Sequence, residues 1–316
     1  MLEANLPPPI PGKLTVNRQA LLKGHTQPIY ELKSNPAKPG YFFSAGADRQ
    51  VVEWNVVEPE TARLKAKATG SVYAIAIDTE GKRLCIGQNF DGIMWLDVAR
   101  QQTLKSIASK TESIFFIECT QHGWLIGMSS GRVLICSFDL LEIKREMRLS
   151  ATRLRAVAVG KNFLWIADAD GWIYAINAST LEMHYKVQAH PNGVLSLCLN
   201  EEGTMLFSGG RDAQLRAWEV GENMLIKAAE VSAHLFSIHA LALKPGGRLL
   251  ATGSMDKTIK IWNPATLELI KVIDQARYGS HSSSVNKLLW LQKPDVLVSC
   301  SDDRSIAVWQ LLEPTA

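Results

Sequence analysis

The chain has 316 residues, 47% of them hydrophobic and 21% charged, enough apolar material for a large core. A formal net charge of +3 is too slight to point to nucleic acid or to an anionic membrane surface. Five cysteines, odd in number and without a CxxC pair, argue against a disulfide framework or a zinc site and fit reduced thiols in a reducing compartment.

Residues 1–12, with Pro7, Pro8 and Pro9, read as a flexible Pro-rich tail. Glu3 and the lack of an unbroken apolar run do not fit a signal peptide, and no later stretch is long and apolar enough to span a membrane. Lys13 to Lys23 reads as a strand leading into Gly24 and His25. From there the chain repeats itself. His25 is followed by Ser44, Asp48 and Trp54; His190 by Ser208, Asp212 and Trp218; His234 by Thr252, Asp256 and Trp262; His281 by Ser299, Asp303 and Trp309. In each set Ser or Thr stands ten residues before Trp, and Asp stands six before it. His and Asp are 23 residues apart once and 22 apart three times, a regularity that marks internal repeats.

The stretch between the first and second complete sets is degenerate but keeps step. Ala68, Lys110 and Ser150 take the place of His, so units start at 25, 68, 110, 150, 190, 234 and 281. The later positions are Cys85, Asn89 and Trp95 in unit two, Ile126, Ser130 and Cys136 in unit three, and Ile166, Asp170 and Ile176 in unit four. Apolar residues largely replace the polar set there, and exchanging both partners of a buried pair in this way can be nearly neutral. Val72 to Ile77 and Val194 to Leu199 read as inner strands, with turns at Asp78–Gly81, Asn200–Gly203 and Lys244–Gly247. Sustained helical periodicity is missing, so an all-β architecture is expected.

The four recurring residue types suit one another chemically. Indole offers one N–H and ionised carboxylate only accepts, while hydroxyl and imidazole do both. A relay from Trp through Ser or Thr and His to Asp satisfies each group. It would tie the loop carrying His to the turn carrying Asp and to the strand carrying Trp. An unsatisfied buried polar group costs about 1–3 kcal/mol.

These sets, with Gly24-His25, Ala189-His190, Ala233-His234 and Ser280-His281, resemble the WD-repeat β-propeller family. One departure is plain: the residue after each Trp is Asn55, Glu219, Asn263 or Gln310, and never Asp. The resemblance implies a single seven-bladed propeller over residues 13–316, with four antiparallel strands per blade. The N-terminal strand is expected to supply the outer strand of the last blade and so close the ring, removing two exposed sheet edges.

Several catalytic and metal sites are weighed and set aside. His25, Ser44 and Asp48 mimic a hydrolase triad, but the hydroxyl is committed to Trp54 and the set occurs four times. The four relay histidines fall one to a blade and cannot converge on an ion, while His122, His184 and His239 lack paired spacing, so no metal is expected. Ser208 to Arg211 looks suited to phosphate but sits on the Asp turn, and no phosphate-binding loop motif or cofactor site is present.

In the family the sequence resembles, partners commonly dock on the narrower face, which carries the His loops and Asp turns. The hot spots there lie one, three and five residues after the His position and one before Asp. Carried onto this chain, they include Tyr30, Tyr73, Phe115, Arg153, Arg155, Arg211, His239 and Met255. They mix aromatics and arginines, the types that dominate binding hot spots. Tyr73, Phe115, Arg153 and Arg155 fall on consecutive blades and suggest one aromatic-to-basic groove. Two plainer roles stay open: channel packing for the aromatics and a solvated face for the arginines.

The expected function is a non-catalytic scaffold for a protein or peptide partner, in a chain that is monomeric by itself and cytoplasmic. The alternatives are a reader of acidic or phosphorylated peptides through Arg153, Arg155 and Arg211, and a propeller enzyme with a central-channel site. Nucleic-acid and membrane binding are not expected.

Overall fold

The computed structural model describes residues 14–313. The expected Pro-rich tail, residues 1–12, lies outside them. The described chain forms seven four-stranded antiparallel sheets. In six of these the strands follow chain order from inside outward. The innermost strands, from blade one to blade seven, are Ile29–Ser34, Val72–Ile77, Ile114–Thr120, Leu154–Val159, Val194–Leu199, Ile238–Leu243 and Val285–Gln292. The seventh sheet borrows its outer strand from the start of the chain. Thr15–Lys23 pairs antiparallel with Ser305–Leu312, from Thr15 opposite Leu312 to Lys23 opposite Ser305. The first and last strands therefore share one sheet, and the ring is closed without an open seam.

The core is not central. It lies in seven apolar layers, each between two neighbouring blades. One layer joins Leu32, Phe42 and Trp54 of blade one to Val296, Val298 and Ile306 of blade seven. The next joins Phe43 and Val51 of blade one to Ile75, Leu84 and Ile86 of blade two. Every blade is thus covered on both faces. This is why the middle strands read as almost continuous apolar runs: Gly123–Met128 is buried at all six residues. Close approach of neighbours also explains why Gly87, Gly209 and Gly253 recur at one point on the second strand. A methyl group on Gly253 would come within 2.7 Å of Val285 in the next blade, and one on Gly87 within 2.5 Å of Ile114.

The longest gap between units, from 234 to 281, is filled by a short helix, Gln275–Tyr278. Asp274 caps it, accepting from the Arg277 N–H at 2.8 Å, and Gly279 ends it in the left-handed region at φ 61°.

Strand register corrects two expectations for the degenerate blades. The relay hydroxyls Ser44, Ser208, Thr252 and Ser299 stand opposite inner-strand Leu32, Leu197, Leu241 and Leu288. In blade two the residue in that place is Ile86, opposite Ile75, and not Cys85. The spacing counted back from Trp95 is one residue off, because Leu96 holds the place of the relay Trp: it stands opposite Leu84 as Trp54 stands opposite Phe42. Nor do apolar groups simply replace the relay. In blade two Gln88 Oε1 accepts from Thr69 N, Thr69 Oγ1 and Gly70 N at 2.9–3.0 Å. In blade three Arg132 is paired with Glu112 and Glu146. In blade four Asp168 takes the hydroxyls of Ser150 and Tyr174. Each blade keeps a polar tie of its own kind between its entry loop and its sheet.

Candidate functional site

The relay residues are side by side in all four complete sets. In blade one the Trp54 indole N–H donates to Ser44 Oγ at 2.7 Å, Ser44 lies 2.7 Å from His25 Nε2, and His25 Nδ1 lies 2.9 Å from Asp48. The corresponding distances are 2.9, 2.8 and 2.8 Å through Trp218, Ser208, His190 and Asp212. They are 2.9, 2.6 and 2.8 Å through Trp262, Thr252, His234 and Asp256. Through Trp309, Ser299, His281 and Asp303 they are 2.9, 2.8 and 3.1 Å. Each Asp also accepts a backbone N–H from its own turn, as from Gln50, Gln214, Thr258 and Ser305. Every hydroxyl is buried and already engaged on both sides, so none is free to attack a substrate.

What faces solvent is set by a different feature. In all seven blades the pairing of the innermost strand slips by one residue near its start: after Ile29, Val72, Ile114, Leu154, Val194, Ile238 and Val285. A bulge of this kind leaves one residue unpaired and re-aims its side chain. Those residues are Tyr30, Tyr73, Phe115, Arg155, Leu195, His239 and Asn286, and all seven line one cavity of about 780 Å³ at the mouth of the ring. Arg153 lines it too. Six of the eight residues singled out in the sequence therefore meet in one place. Arg211 and Met255 stand outside the lining, exposed on the Asp turns of blades five and six. Leu195 and Asn286 were passed over because neither is aromatic or charged. Their signal was present all the same: each lies five residues after its His, as do Tyr30 and His239.

The lining is strongly one-sided. Tyr30 meets Tyr73 edge-on with centroids 5.1 Å apart, and Tyr73 stacks on Phe115 at 5.6 Å with the planes 4° apart. The Arg155 guanidinium lies 4.6 Å from the Phe115 centroid. A continuous ladder thus runs from blade one to blade four, one blade further than the groove expected from sequence, with a cation–π contact at its end.

Arg155 is otherwise uncompensated. Its Nε is buried without a hydrogen-bond partner. Burial, together with the charges of Arg211 and Arg153, pulls its pKa down from the ordinary arginine range. The acids nearby are engaged elsewhere. Asp302 accepts from Asn286 Nδ2 at 2.7 Å, and Glu31 is paired with Lys287 at 2.8 Å. Three residues beyond Tyr30 and Phe115 on their strands, Lys33 and Glu118 form a second ion pair at 2.6 Å between blades one and three. On the opposite wall His239 sits between Ser237 and Ser284, at 3.0 and 3.2 Å. Burial, with Arg155 and Arg211, holds its pKa below the usual histidine value.

The ring of seven four-stranded sheets and the repeated relay define a seven-bladed β-propeller. A family model for the WD domain, G-beta repeat, matches residues 181–219, 227–263 and 274–310, each match ending one residue past a relay Trp. The chain is thus a seven-bladed β-propeller that carries three matches to the WD repeat. No curated protein matches the sequence. Among solved structures, the WD40 β-propeller domain of Doa1 is similar at a TM-score of 0.79, covering 94% of this chain and 97% of that one. Identity is 14%, so that likeness is one of fold alone.

Proposed function

We propose that the protein is a non-catalytic interaction scaffold that takes a protein or peptide partner at the mouth of the ring, on the face carrying the His loops and Asp turns. WD-repeat propellers are commonly protein-interaction scaffolds. The observation that carries the proposal is the ladder Tyr30–Tyr73–Phe115–Arg155. Side chains from four blades are aimed by strand bulges into one cavity, where aromatic faces and a guanidinium offer the contacts that dominate binding hot spots. Leu195, His239 and Asn286 complete the ring. Arg211 and Met255 add rim contacts from neighbouring turns. The relay residues act as brackets that fix those turns.

A second reading, recognition of acidic or phosphorylated segments, is favoured by Arg155. A half-buried guanidinium stacked on a ring, with an enclosed and unpartnered Nε, is ready to pair with a carboxylate from outside. A propeller enzyme is disfavoured by the committed relay hydroxyls and by the engaged acids. The five free thiols suit the cytoplasm.

The test is affinity capture from native extract, comparing wild type with a variant carrying Tyr73→Ala, Phe115→Ala and Arg155→Ala. Partners held by wild type should be lost from the variant while its thermal melt stays cooperative. Partners retained in full would place the docking surface elsewhere.

A further inference from the structure

Blade six differs from its neighbours at two positions on the same face. The two residues after the His position are Thr26-Gln27, Thr69-Gly70, Thr111-Glu112, Ala151-Thr152, Pro191-Asn192 and Ser282-Ser283 in the other blades. In blade six they are Leu235 and Phe236, 83% and 57% exposed. Six blades fold without such a pair of large apolar side chains there, so blade architecture does not require it. Met255, on the next turn of the same blade, is 53% exposed. One exposed Leu means little, but three large apolar side chains on adjoining turns mark a contact surface.

The platform is fixed and adjoins the cavity. Leu235 N donates to Asp256 at 3.1 Å, and the Phe236 carbonyl accepts from Ser254 Oγ at 3.1 Å. Met255 N donates to the Ser237 carbonyl at 3.1 Å. The Ser237 hydroxyl lies 3.8 Å from the Met255 sulfur and 3.0 Å from His239 Nε2 in the cavity wall. The apolar surface therefore begins where the blade-six wall of the cavity ends.

We propose that this face recognises an acidic–apolar peptide. One anionic side chain enters the cavity and pairs with Arg155, while a neighbouring apolar side chain lies on Leu235, Phe236 and Met255. The proposal rests on the mouth being the partner site, and charge complementarity selects the occupant. Arg155 is half-buried, its Nε has no hydrogen-bond partner, and the like charges of Arg153 and Arg211 act on it, so a cationic ligand is repelled and a carboxylate or phosphate is drawn in.

The experiment is selection of a phage-displayed random-peptide library on the full chain, followed by fluorescence-anisotropy titration of synthetic copies. Enriched peptides should carry Asp or Glu close to Leu, Ile, Phe or Met. Arg155→Met, which keeps a straight side chain against Phe115, should weaken binding roughly tenfold or more. Glu→Gln in the peptide should do the same, and the two changes together should cost little beyond either alone. Leu235→Ser combined with Phe236→Ser, both at exposed positions, should cost a similar factor while leaving the thermal melt unchanged. Replacing the peptide Glu by phosphoserine separates the two anions: tighter binding assigns phosphate, weaker binding assigns carboxylate. A neutral or basic consensus, no enrichment, or indifference to the Leu235 and Phe236 changes would overturn the proposal. Tyr73→Ala then decides whether the mouth itself stands: peptides that still weaken on that variant keep it as the partner site.

Discussion

Asp168, at the end of the second strand of blade four, accepts a hydrogen bond from the Ser150 hydroxyl at 2.7 Å. Ser150 occupies the place that His190 holds one blade later. The same carboxylate accepts from the Tyr174 hydroxyl at 2.8 Å and from the backbone N–H groups of Trp172 and Asp170 at 2.9 and 3.1 Å. It is 1% exposed. Blade four thus has its own bracket, built from a carboxylate two residues earlier than the repeat's Asp. Asp168→Ala would strand two hydroxyls without their acceptor and should cost about 1–3 kcal/mol in urea denaturation. A loss below about 0.5 kcal/mol, the range of neutral surface changes, would show that the bracket is idle.

The regular relay makes a parallel prediction. Asp256 binds His234 at 2.8 Å, the Leu235 N–H at 3.1 Å and the Thr258 hydroxyl at 2.6 Å. Asp256→Ala should therefore destabilise the protein by about 1–3 kcal/mol. It should also loosen the turn that presents Leu235. Hydrogen exchange at the Leu235 amide reads the second effect separately from the first, and an unchanged rate would mean that the carboxylate does not hold the loop.

The fold was legible because four of its brackets use the same residue types at the same spacing. An indole that only donates and a carboxylate that only accepts must be ten and four residues from the same hydroxyl when one strand, one turn and one strand intervene. Ring closure was legible from the strand pattern ahead of His25, which the structure shows as Thr15–Lys23. The degenerate blades were less so. Gln88 and Asp168 do the bracketing from a different position, and a shared geometry without a shared residue type leaves no spacing to count. The mouth of the ring was half legible. Tyr30, Tyr73, Phe115, Arg153, Arg155 and His239 stood out by chemistry, whereas Leu195 and Asn286 are placed there by a backbone bulge that no residue type announces.

Closure makes a prediction about association. The strand Thr15–Lys23 covers the edge of Ser305–Leu312 along eight paired positions. Deleting residues 1–23 would expose an edge carrying Ile306, Val308 and Leu311, all buried in the intact ring. An uncovered apolar edge recruits other strands. Light scattering after size-exclusion chromatography should show oligomers or aggregate for the truncated chain at concentrations where the full chain is monodisperse. A monodisperse, cooperatively melting truncated chain would mean that the seam does not depend on this strand.

The relay also ties stability to pH, with a sign that follows from burial. His190 and His234 are held below the ordinary histidine value, chiefly by desolvation, with Arg216 acting on the first and Lys260 on the second. His239 is shifted the same way. Each is a neutral imidazole in the fold, and the unfolded chain binds a proton more readily. Between the folded value and the unfolded one of about 6.5, stability therefore rises with pH. Its contribution is complete above about pH 6.5 and is lost as pH falls toward the folded value. The carboxylates act in the same direction lower down. Burial alone would raise Asp212, but hydrogen bonds from His190 and Arg216 outweigh it and bring the group to about 2. Asp256 and Asp303 also lie below the usual carboxylate range, where hydrogen bonds from His234 and His281 overcome the same penalty. Their share is present above about pH 4 and is lost below it. Melting temperature should thus hold level near neutrality, fall in a first step below about pH 6.5, and fall again below about pH 4. A flat profile between about pH 7 and pH 5 would mean that the buried imidazoles exchange protons as freely in the folded ring as in the open chain.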